Sequence, residues 1–136
     1  NEIAICNLSI GINRKRLLQD RSDAKSDSEY VKLEKSFVEP MLKASRIFHD
    51  LKSDRMIALC DFHLGFFYCH CLYGSSNTKR ADLKLENALK YYHRAYSYYT
   101  RYDIGPTLLM ILIDMCNLIW LLLMLVKTRF MHMWSK

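Results

Sequence analysis

The sequence predicts an all-α protein, and three of its properties lead to that prediction. The 136 residues include only four glycines and two prolines, so a fold of many short strands joined by tight turns is not favoured. Residues that form helices well, such as Leu, Lys, Arg, Met and Ala, are plentiful. Hydrophobic residues make up 51% of the chain, which is enough to bury a core, and they recur at helical spacing in successive segments.

The first segment, residues 1–18, predicts a helix from Ile3 to Leu18. Its apolar face is formed by Ile5, Leu8, Ile12 and Leu17. The chain begins inside this apolar segment, so we interpret the helix as part of a preceding repeat in a longer protein. The polar residues 19–29 then predict a linker.

Pro40 divides the second apolar segment, which extends from Tyr30 to Leu51. Proline cannot donate a backbone hydrogen bond, and it disfavours α geometry in the residue before it. Either the helix kinks at this point or a new helix begins with Pro40 in its first turn, and we favour the new helix. Its apolar face contains Met41, Ala44, Phe48 and Leu51.

Two further helices are expected on either side of the polar segment Gly74–Asp82. The first extends from Arg55 to Tyr73 and is apolar on nearly every side, which predicts a central position. The second extends from Asp82 to Tyr102 and ends before Gly105-Pro106. Its apolar face lies opposite four basic residues, Lys84, Lys90, Arg94 and Arg101.

The last helix is predicted over Thr107–Val126, and a basic tail follows within residues 107–136. Only Asp114 and Asn117 are clearly polar between residues 108 and 126, a length close to that needed to cross a bilayer. The apolar side chains contribute about −5 kcal/mol to insertion, and the two polar ones cancel most of it. We therefore expect a helix that packs against other helices and whose polar strip meets water or polar groups. The alternative is a membrane-anchored helical protein with a transmembrane helix at 108–126.

The run "ALKYYHRAYSYY", residues 88–99, combines small and large side chains on one helix face. Ala88 and Ala95 are two helical turns apart, so another helix can approach closely, and Tyr92 fills the gap between them. Upstream, "LGFFY" at residues 64–68 supplies a Leu-Gly-x-x-Tyr motif. In this order the two motifs resemble the two helices of a tetratricopeptide repeat.

The tetratricopeptide resemblance covers residues 40–106, about half of the chain, and a fainter earlier copy is formed by Ala44, Phe48 and Leu51. The tryptophan that the family carries near the start of its first helix is absent here. The resemblance implies a short, divergent solenoid of antiparallel helical hairpins over residues 30–106. It further implies a non-enzymatic scaffold for protein–protein interaction, as a helical-repeat fragment of a larger protein.

The same run, together with "YDIGPTLL" at residues 102–109, also resembles the C-terminal repeat region of the erythroid differentiation-related factor family. That resemblance implies a transcription regulator in the nucleus.

The five cysteines lie at irregular spacing and form a poor disulfide framework. We therefore expect thiols and an intracellular location, cytoplasmic or nuclear.

The segment "CDFHLGFFYCHC", residues 60–71, contains the strongest candidates for metal ligands. Its two ends lie about 15 Å apart on a helix, whereas zinc requires donors within about 2.3 Å of one point. An alternative site combines Cys60 and His63 with a residue of a neighbouring helix, either Cys6 or His93. Adjacent residues such as Cys69 and His70 are expected to point to different sides of a helix, which disfavours a nucleophile pair.

No catalytic, cofactor-binding or metal site is therefore predicted, and no phosphate-binding loop or hydrolase motif occurs in the sequence. The formal net charge of +6 arises from interleaved charges, so nucleic acid is not an expected partner. We expect other proteins or peptides, especially acidic ones, as partners, and self-association of the isolated chain through its apolar last helix. The candidate partner-binding residues combine aromatic area with positive charge: Tyr91, Tyr98, Lys84, Lys90 and Arg94.

Overall fold

The structure is a computed structural model that describes residues 2–19, 27–71 and 78–135. These ranges contain helices and no strand. The all-α prediction is therefore confirmed. The five α-helices are α1 Glu2–Gln19, α2 Asp27–Asp50, α3 Asp54–Phe66, α4 Thr78–Tyr102 and α5 Pro106–Trp134. A π-helical turn, Phe67–Cys71, continues directly from α3. Each helix packs mainly on the helices before and after it in the chain, and α1 also touches the π-helical turn.

Helix α1 packs along α2 through small side chains. Ala4 is fully buried and Leu8 is nearly so. A Cβ added at Gly11 would lie 2.6 Å from the Sδ atom of Met41, which is closer than unstrained contacts allow. Glycine at this position therefore permits the two helix backbones to approach each other closely.

The predicted apolar face of α1 is only partly correct. Leu8 is buried and Ile12 is half-buried, but Ile5 is 52% exposed. The reason is that α1 turns its small residues toward α2, which carries the larger Ile5 away from the contact. The side chain of Leu17 lies outside the described residues.

Helix α2 continues through Pro40, so the prediction of a new helix at that residue is wrong. A proline inside a helix costs about 3 kcal/mol. Phe37, Met41 and Ala44 continue one apolar face across the proline, and all three are fully buried. Burial of a large apolar side chain contributes about 1.5–3 kcal/mol, so the contacts on both sides of Pro40 offset its cost.

The ends of the elements also differ from the predictions. Helix α2 begins at Asp27, inside the predicted linker, and ends before Leu51, which is 52% exposed in a turn. Helix α4 begins at Thr78 rather than Asp82. Helix α5 extends to Trp134, because no glycine or proline interrupts its polar end. The predicted basic tail is therefore helical to within two residues of the end of the chain.

The centre of the fold is the hairpin formed by α3, the π-helical turn and α4. A Cβ added at Gly65 would lie 2.6 Å from a ring atom of Tyr92, so the tyrosine ring packs directly on the glycine. Five residues of the two motifs are buried here: Leu64, Tyr68, Ala88, Tyr92 and Ala95. The two motifs therefore meet in the core of this hairpin.

Helix α5 packs against α4 along one narrow face. The buried residues of that face recur at intervals of three or four: Leu108, Ile111, Asp114 and Leu118. Asp114 meets polar groups, as expected, but it does so on the inner side of the helix. The apolar outer faces of α5 are exposed, and no other element of the described ranges covers them.

Candidate functional site

Three of the five candidate partner-binding residues form one cluster on α4, which we call the basic aromatic patch: Lys90, Tyr91 and Arg94. The Tyr91 ring is half-buried, and the Nζ atom of Lys90 lies 5.5 Å from its centroid. The Cζ atom of Arg94 lies 5.8 Å from the same centroid. Both distances suit cation–π attraction, and both charged side chains are exposed. The patch therefore offers positive charge held over an aromatic ring.

The buried carboxyl of Asp61 in α3 is the internal counter-charge of this patch. Burial raises the pKa of Asp61 to about 6, and the nearby positive charges of Arg94, His49 and Lys90 partly oppose that rise. Burial also raises the pKa of Tyr91, with Asp61 adding to the rise and Arg94 opposing it. In the sequence, Asp61 is a polar residue within a helix that is apolar on nearly every side, and its charged partners come from other helices.

Lys84 has a different environment from the other candidate residues. Its Nζ atom forms an ion pair with Glu34 of α2, and the Lys84 side chain is only 15% exposed. The same Nζ atom lies 5.3 Å from the ring centroid of Tyr68, whose hydroxyl donates a 3.2 Å hydrogen bond to Glu34. The charge of Lys84 is therefore balanced inside the fold, where it ties α4 to α2.

Tyr98 lies two helical turns beyond Tyr91 on α4 and is half-buried. Its ring meets Tyr99 edge-on, with centroids 5.4 Å apart, and lies 5.1 Å from the ring of Tyr102. Tyr102 itself is largely exposed. An aromatic surface therefore continues from the basic aromatic patch toward the end of α4.

A second group of polar residues lies where α5 meets the hairpin. The buried carboxylate of Asp114 accepts a 2.5 Å hydrogen bond from the hydroxyl of Tyr92. The same oxygen, Oδ2, lies 2.8 Å from the Nε2 atom of His70. Burial of a carboxylate without partners costs several kcal/mol, so these two contacts explain how an aspartate occupies the inner face of an apolar helix.

Cys69 joins this group and completes a cluster that we call the Cys-His-Asp cluster: Cys69, His70 and Asp114. One potential ligand atom from each residue lies within 4.8 Å of the other two. Cys69 is buried and His70 is exposed, so the two adjacent side chains differ in their environment although one atom of each belongs to the cluster. Both residues lie in the π-helical turn.

A cavity of about 290 Å³ opens beside the Cys-His-Asp cluster. Besides the cluster itself, four residues of α5 line it: Asn117, Leu118, Trp120 and Leu121. The exposed side chain of His70 borders the opening, whereas Cys69 and Asp114 are buried. The cavity is therefore apolar apart from one concentrated group of polar donors and acceptors.

The alternative metal site on Cys60 and His63 does not form a three-donor cluster within the described part of the chain. Cys60 is buried, and burial raises the pKa of its thiol to about 12. Cys6 and His93 are both exposed. The side chain of Cys71 lies outside the described residues.

Helix α5 is long and apolar enough to cross a membrane, judged by length and composition alone. Only 17% of its most apolar 18-residue window is buried. The core helix of a soluble protein meets the same two criteria. The helix is therefore weak support for a membrane protein.

Comparisons with known protein families, with curated proteins and with solved structures found no match to this chain. The function is accordingly inferred from the two sites described above.

Proposed function

We propose that the chain is a non-enzymatic protein-interaction module, a short and divergent tetratricopeptide-like solenoid that binds acidic peptides on α4. The observation that carries the proposal is the basic aromatic patch, in which two exposed cations lie over one half-buried ring. Aromatic residues and arginine are enriched at protein interfaces, and the patch contains both.

The solenoid part of the proposal is supported by the contact between Gly65 and Tyr92. That contact joins the Leu-Gly-x-x-Tyr motif to the alanine-rich run, the two motifs on which the resemblance rests. The order of packing agrees with this interpretation, because successive helices lie against each other along the chain. Such arrays offer extended surfaces for protein partners.

The acidic character of the partner follows from the charges of the patch. Arg94 can form paired hydrogen bonds with a carboxylate, and Lys90 adds a second positive charge one helical turn away. Asp61 supplies only one negative charge near these two cations, so the exposed pair keeps a net positive charge. Apolar side chains of the same peptide would pack on Tyr98 and Tyr102.

Residues that bind the peptide are thus Lys90, Tyr91, Arg94 and Tyr98, while Lys84 is assigned to the fold. The four cysteines whose placement is described are thiols outside any disulfide, which supports an intracellular location, cytoplasmic or nuclear. A role in transcription rests only on the resemblance to the erythroid differentiation-related factor family.

The test is peptide binding measured by fluorescence anisotropy with the full chain. Labelled peptides that alternate Glu and Leu should bind, and the same peptides with Lys in place of Glu should not. Arg94→Ala should weaken binding about tenfold, equivalent to about 1.4 kcal/mol, and added salt should weaken it further. The matched control is Arg46→Ala, which removes an exposed arginine from α2. Equal weakening by both variants would show that only net charge matters.

A second candidate function is a membrane-anchored helical protein with a transmembrane helix at 108–126. The apolar and exposed outer faces of α5 favour it. The contacts of Asp114 oppose it, because insertion would remove the carboxylate from Tyr92 and His70 or carry the charged α4 into the bilayer. We therefore propose that α5 faces protein rather than lipid.

Cell fractionation of the full-length protein separates these two candidates. Recovery in a carbonate-resistant membrane pellet would overturn the protein-facing proposal. A soluble pool, in which crosslinkers placed at Leu112, Ile119 or Leu122 join α5 to another helix, would support it.

A further inference from the structure

We propose that Cys69, His70 and Asp114 bind a single divalent metal ion of the zinc class, which fastens α5 to the α3–α4 hairpin. The proposal differs from the sequence-based expectation of no metal site. It does not depend on peptide binding, because the basic aromatic patch and the Cys-His-Asp cluster share no residue.

The donor set suits zinc better than other common divalent ions. Zinc accepts sulfur, nitrogen and oxygen ligands together, whereas Mg²⁺ and Ca²⁺ select oxygen. Tetrahedral zinc places such donors about 3.3–3.6 Å apart, given its bond lengths. The donors of the cluster lie within 4.8 Å of one another, so small rotations of the three side chains close the site.

The charges of the cluster also suit a divalent cation. At present His70 and Asp114 share a hydrogen bond between Nε2 and Oδ2. On binding, the metal takes the place of the hydrogen between these two atoms. The proton of neutral His70 then moves from Nε2 to Nδ1 through solvent, and the thiol of Cys69 releases its proton to solvent. One thiolate and one carboxylate then balance the two positive charges of the ion. A neutral complex is what a largely buried site can hold at low electrostatic cost.

Tyr92 acts as a positioning residue for the metal ligand Asp114. Its hydroxyl donates to the Oδ2 atom at 2.5 Å, and its ring is fixed against Gly65 in the core. Hydrogen bonds to a ligating carboxylate orient it toward the metal, and loss of such a partner typically weakens metal binding about 10- to 100-fold.

The local backbone provides an independent reason to expect a site here. A π-helical turn is rare, and it occurs preferentially at functional sites. In this chain the turn is Phe67–Cys71, and it contains both Cys69 and His70. The adjoining cavity reaches Asn117 and leaves room for a water molecule as the fourth ligand.

The experiment is a titration of the reduced, tag-free full chain with Co²⁺, which reports zinc-type sites through its absorption. We expect one ion per chain, visible bands typical of four-coordinate cobalt, and a near-ultraviolet band from thiolate coordination. Addition of Zn²⁺ should displace the cobalt and raise the melting temperature.

Four variants assign the ligands and the positioning residue. His70→Ala is the first choice, because His70 is exposed and its removal should leave the fold intact. Cys69→Ser should abolish the thiolate band, and Asp114→Asn should also abolish tight binding. Tyr92→Phe should retain the bands but weaken Co²⁺ binding about 10- to 100-fold. Far-ultraviolet circular dichroism checks that each variant is folded.

Cys116→Ser is the matched control, because Cys116 is an exposed thiol two residues from Asp114 in sequence. It should bind Co²⁺ with unchanged affinity and spectrum. The proposal is overturned if the wild-type chain binds no Co²⁺ or Zn²⁺, or if folded His70→Ala and Cys69→Ser variants bind as tightly as wild type.

Discussion

The α3–α4 hairpin and α5 are both rich in apolar residues, but only the hairpin buries most of them at least partly. In the hairpin, large and small side chains fit together: Tyr92 packs on Gly65, and Ala88 is fully buried. In α5 the buried residues form one narrow face, while Leu109 is 60% exposed and Trp120 is 62% exposed. Apolar composition therefore predicts a helix, but burial requires a neighbouring helix with space to receive the side chain.

Replacement of one leucine in each region should give the largest difference in the free energy of unfolding. Leu64→Ala should lower the free energy of unfolding by about 2–5 kcal/mol, because it leaves a cavity in the hairpin core. Leu109→Ala should change it by less than about 0.5 kcal/mol, because the side chain is already exposed. Urea denaturation measures both values. A large loss in Leu109→Ala would mean that a second copy or another protein covers α5 in solution.

The two regions also differ in their buried carboxyl groups, since Asp61 lies in the hairpin and Asp114 lies in α5. Burial raises the pKa of Asp61 from 3.8 to about 6. The folded state therefore binds a proton more tightly than the unfolded state. The resulting stabilisation is complete below about pH 4 and is lost as the pH rises through about 6. The free energy of unfolding should therefore change by about 3 kcal/mol, because each pKa unit corresponds to 1.36 kcal/mol.

Asp61→Asn should remove this pH dependence, since the amide does not titrate. The measurement is the free energy of unfolding of both proteins between pH 4 and pH 7, taken as a difference so that other carboxylates cancel. The wild type should lose stability relative to the variant as the pH rises. Parallel pH profiles would contradict the assignment of Asp61 as a buried acid.

Tyr92→Phe tests whether polar contacts attach α5 to the hairpin. The variant keeps the ring that packs on Gly65 but removes the hydrogen bond to Asp114. A hydrogen bond to a charged group contributes about 1.5–3 kcal/mol, and the contact with His70 should retain part of it. We expect a lower melting temperature with an unchanged helix content at 25 °C. No change in melting temperature would show that apolar contacts alone hold α5.

Gly65→Ala gives the smallest expected effect. The added methyl group would lie 2.6 Å from a ring atom of the fully buried Tyr92, and such overpacking costs about 1–3 kcal/mol. The higher helix propensity of alanine returns about 1 kcal/mol, so we expect a net loss of about 1 kcal/mol. The control is Gly105→Ala, whose nearest atom would be an ordinary 3.7 Å away. Thermal denaturation of the pair checks the prediction, and a stabilised Gly65→Ala protein would contradict it.

The parts of the fold that depend on local spacing could be predicted from the sequence. The helical class follows from residues close together in the chain, whereas the pairing of the Leu-Gly-x-x-Tyr motif with the alanine-rich run was implied by the tetratricopeptide resemblance. The continuation of α2 through Pro40 could not be predicted from local sequence. The cost of the proline is offset by burial of Phe37 and Met41 in contacts between helices. The orientation of Ile5 likewise depends on which face of α1 fits α2.

The sites were less predictable than the fold. Tyr91, Lys90 and Arg94 could be grouped from helical spacing alone, and the structure brings them together. The neutralised charge of Lys84 required knowledge of Glu34 on another helix. The contact between His70 and Asp114 spans 44 positions, and His70 lies in a π-helical turn for which the sequence carries no simple signal.

Packing between consecutive helices has a consequence for the order in which the chain opens and closes. Contacts between chain neighbours require only short loops to close, and proteins dominated by such contacts fold rapidly. The same arrangement lets an outer helix detach while the hairpin stays closed. Amide hydrogens in residues 119–134 should therefore exchange with solvent faster than those of α3, and metal bound at the Cys-His-Asp cluster should slow that exchange.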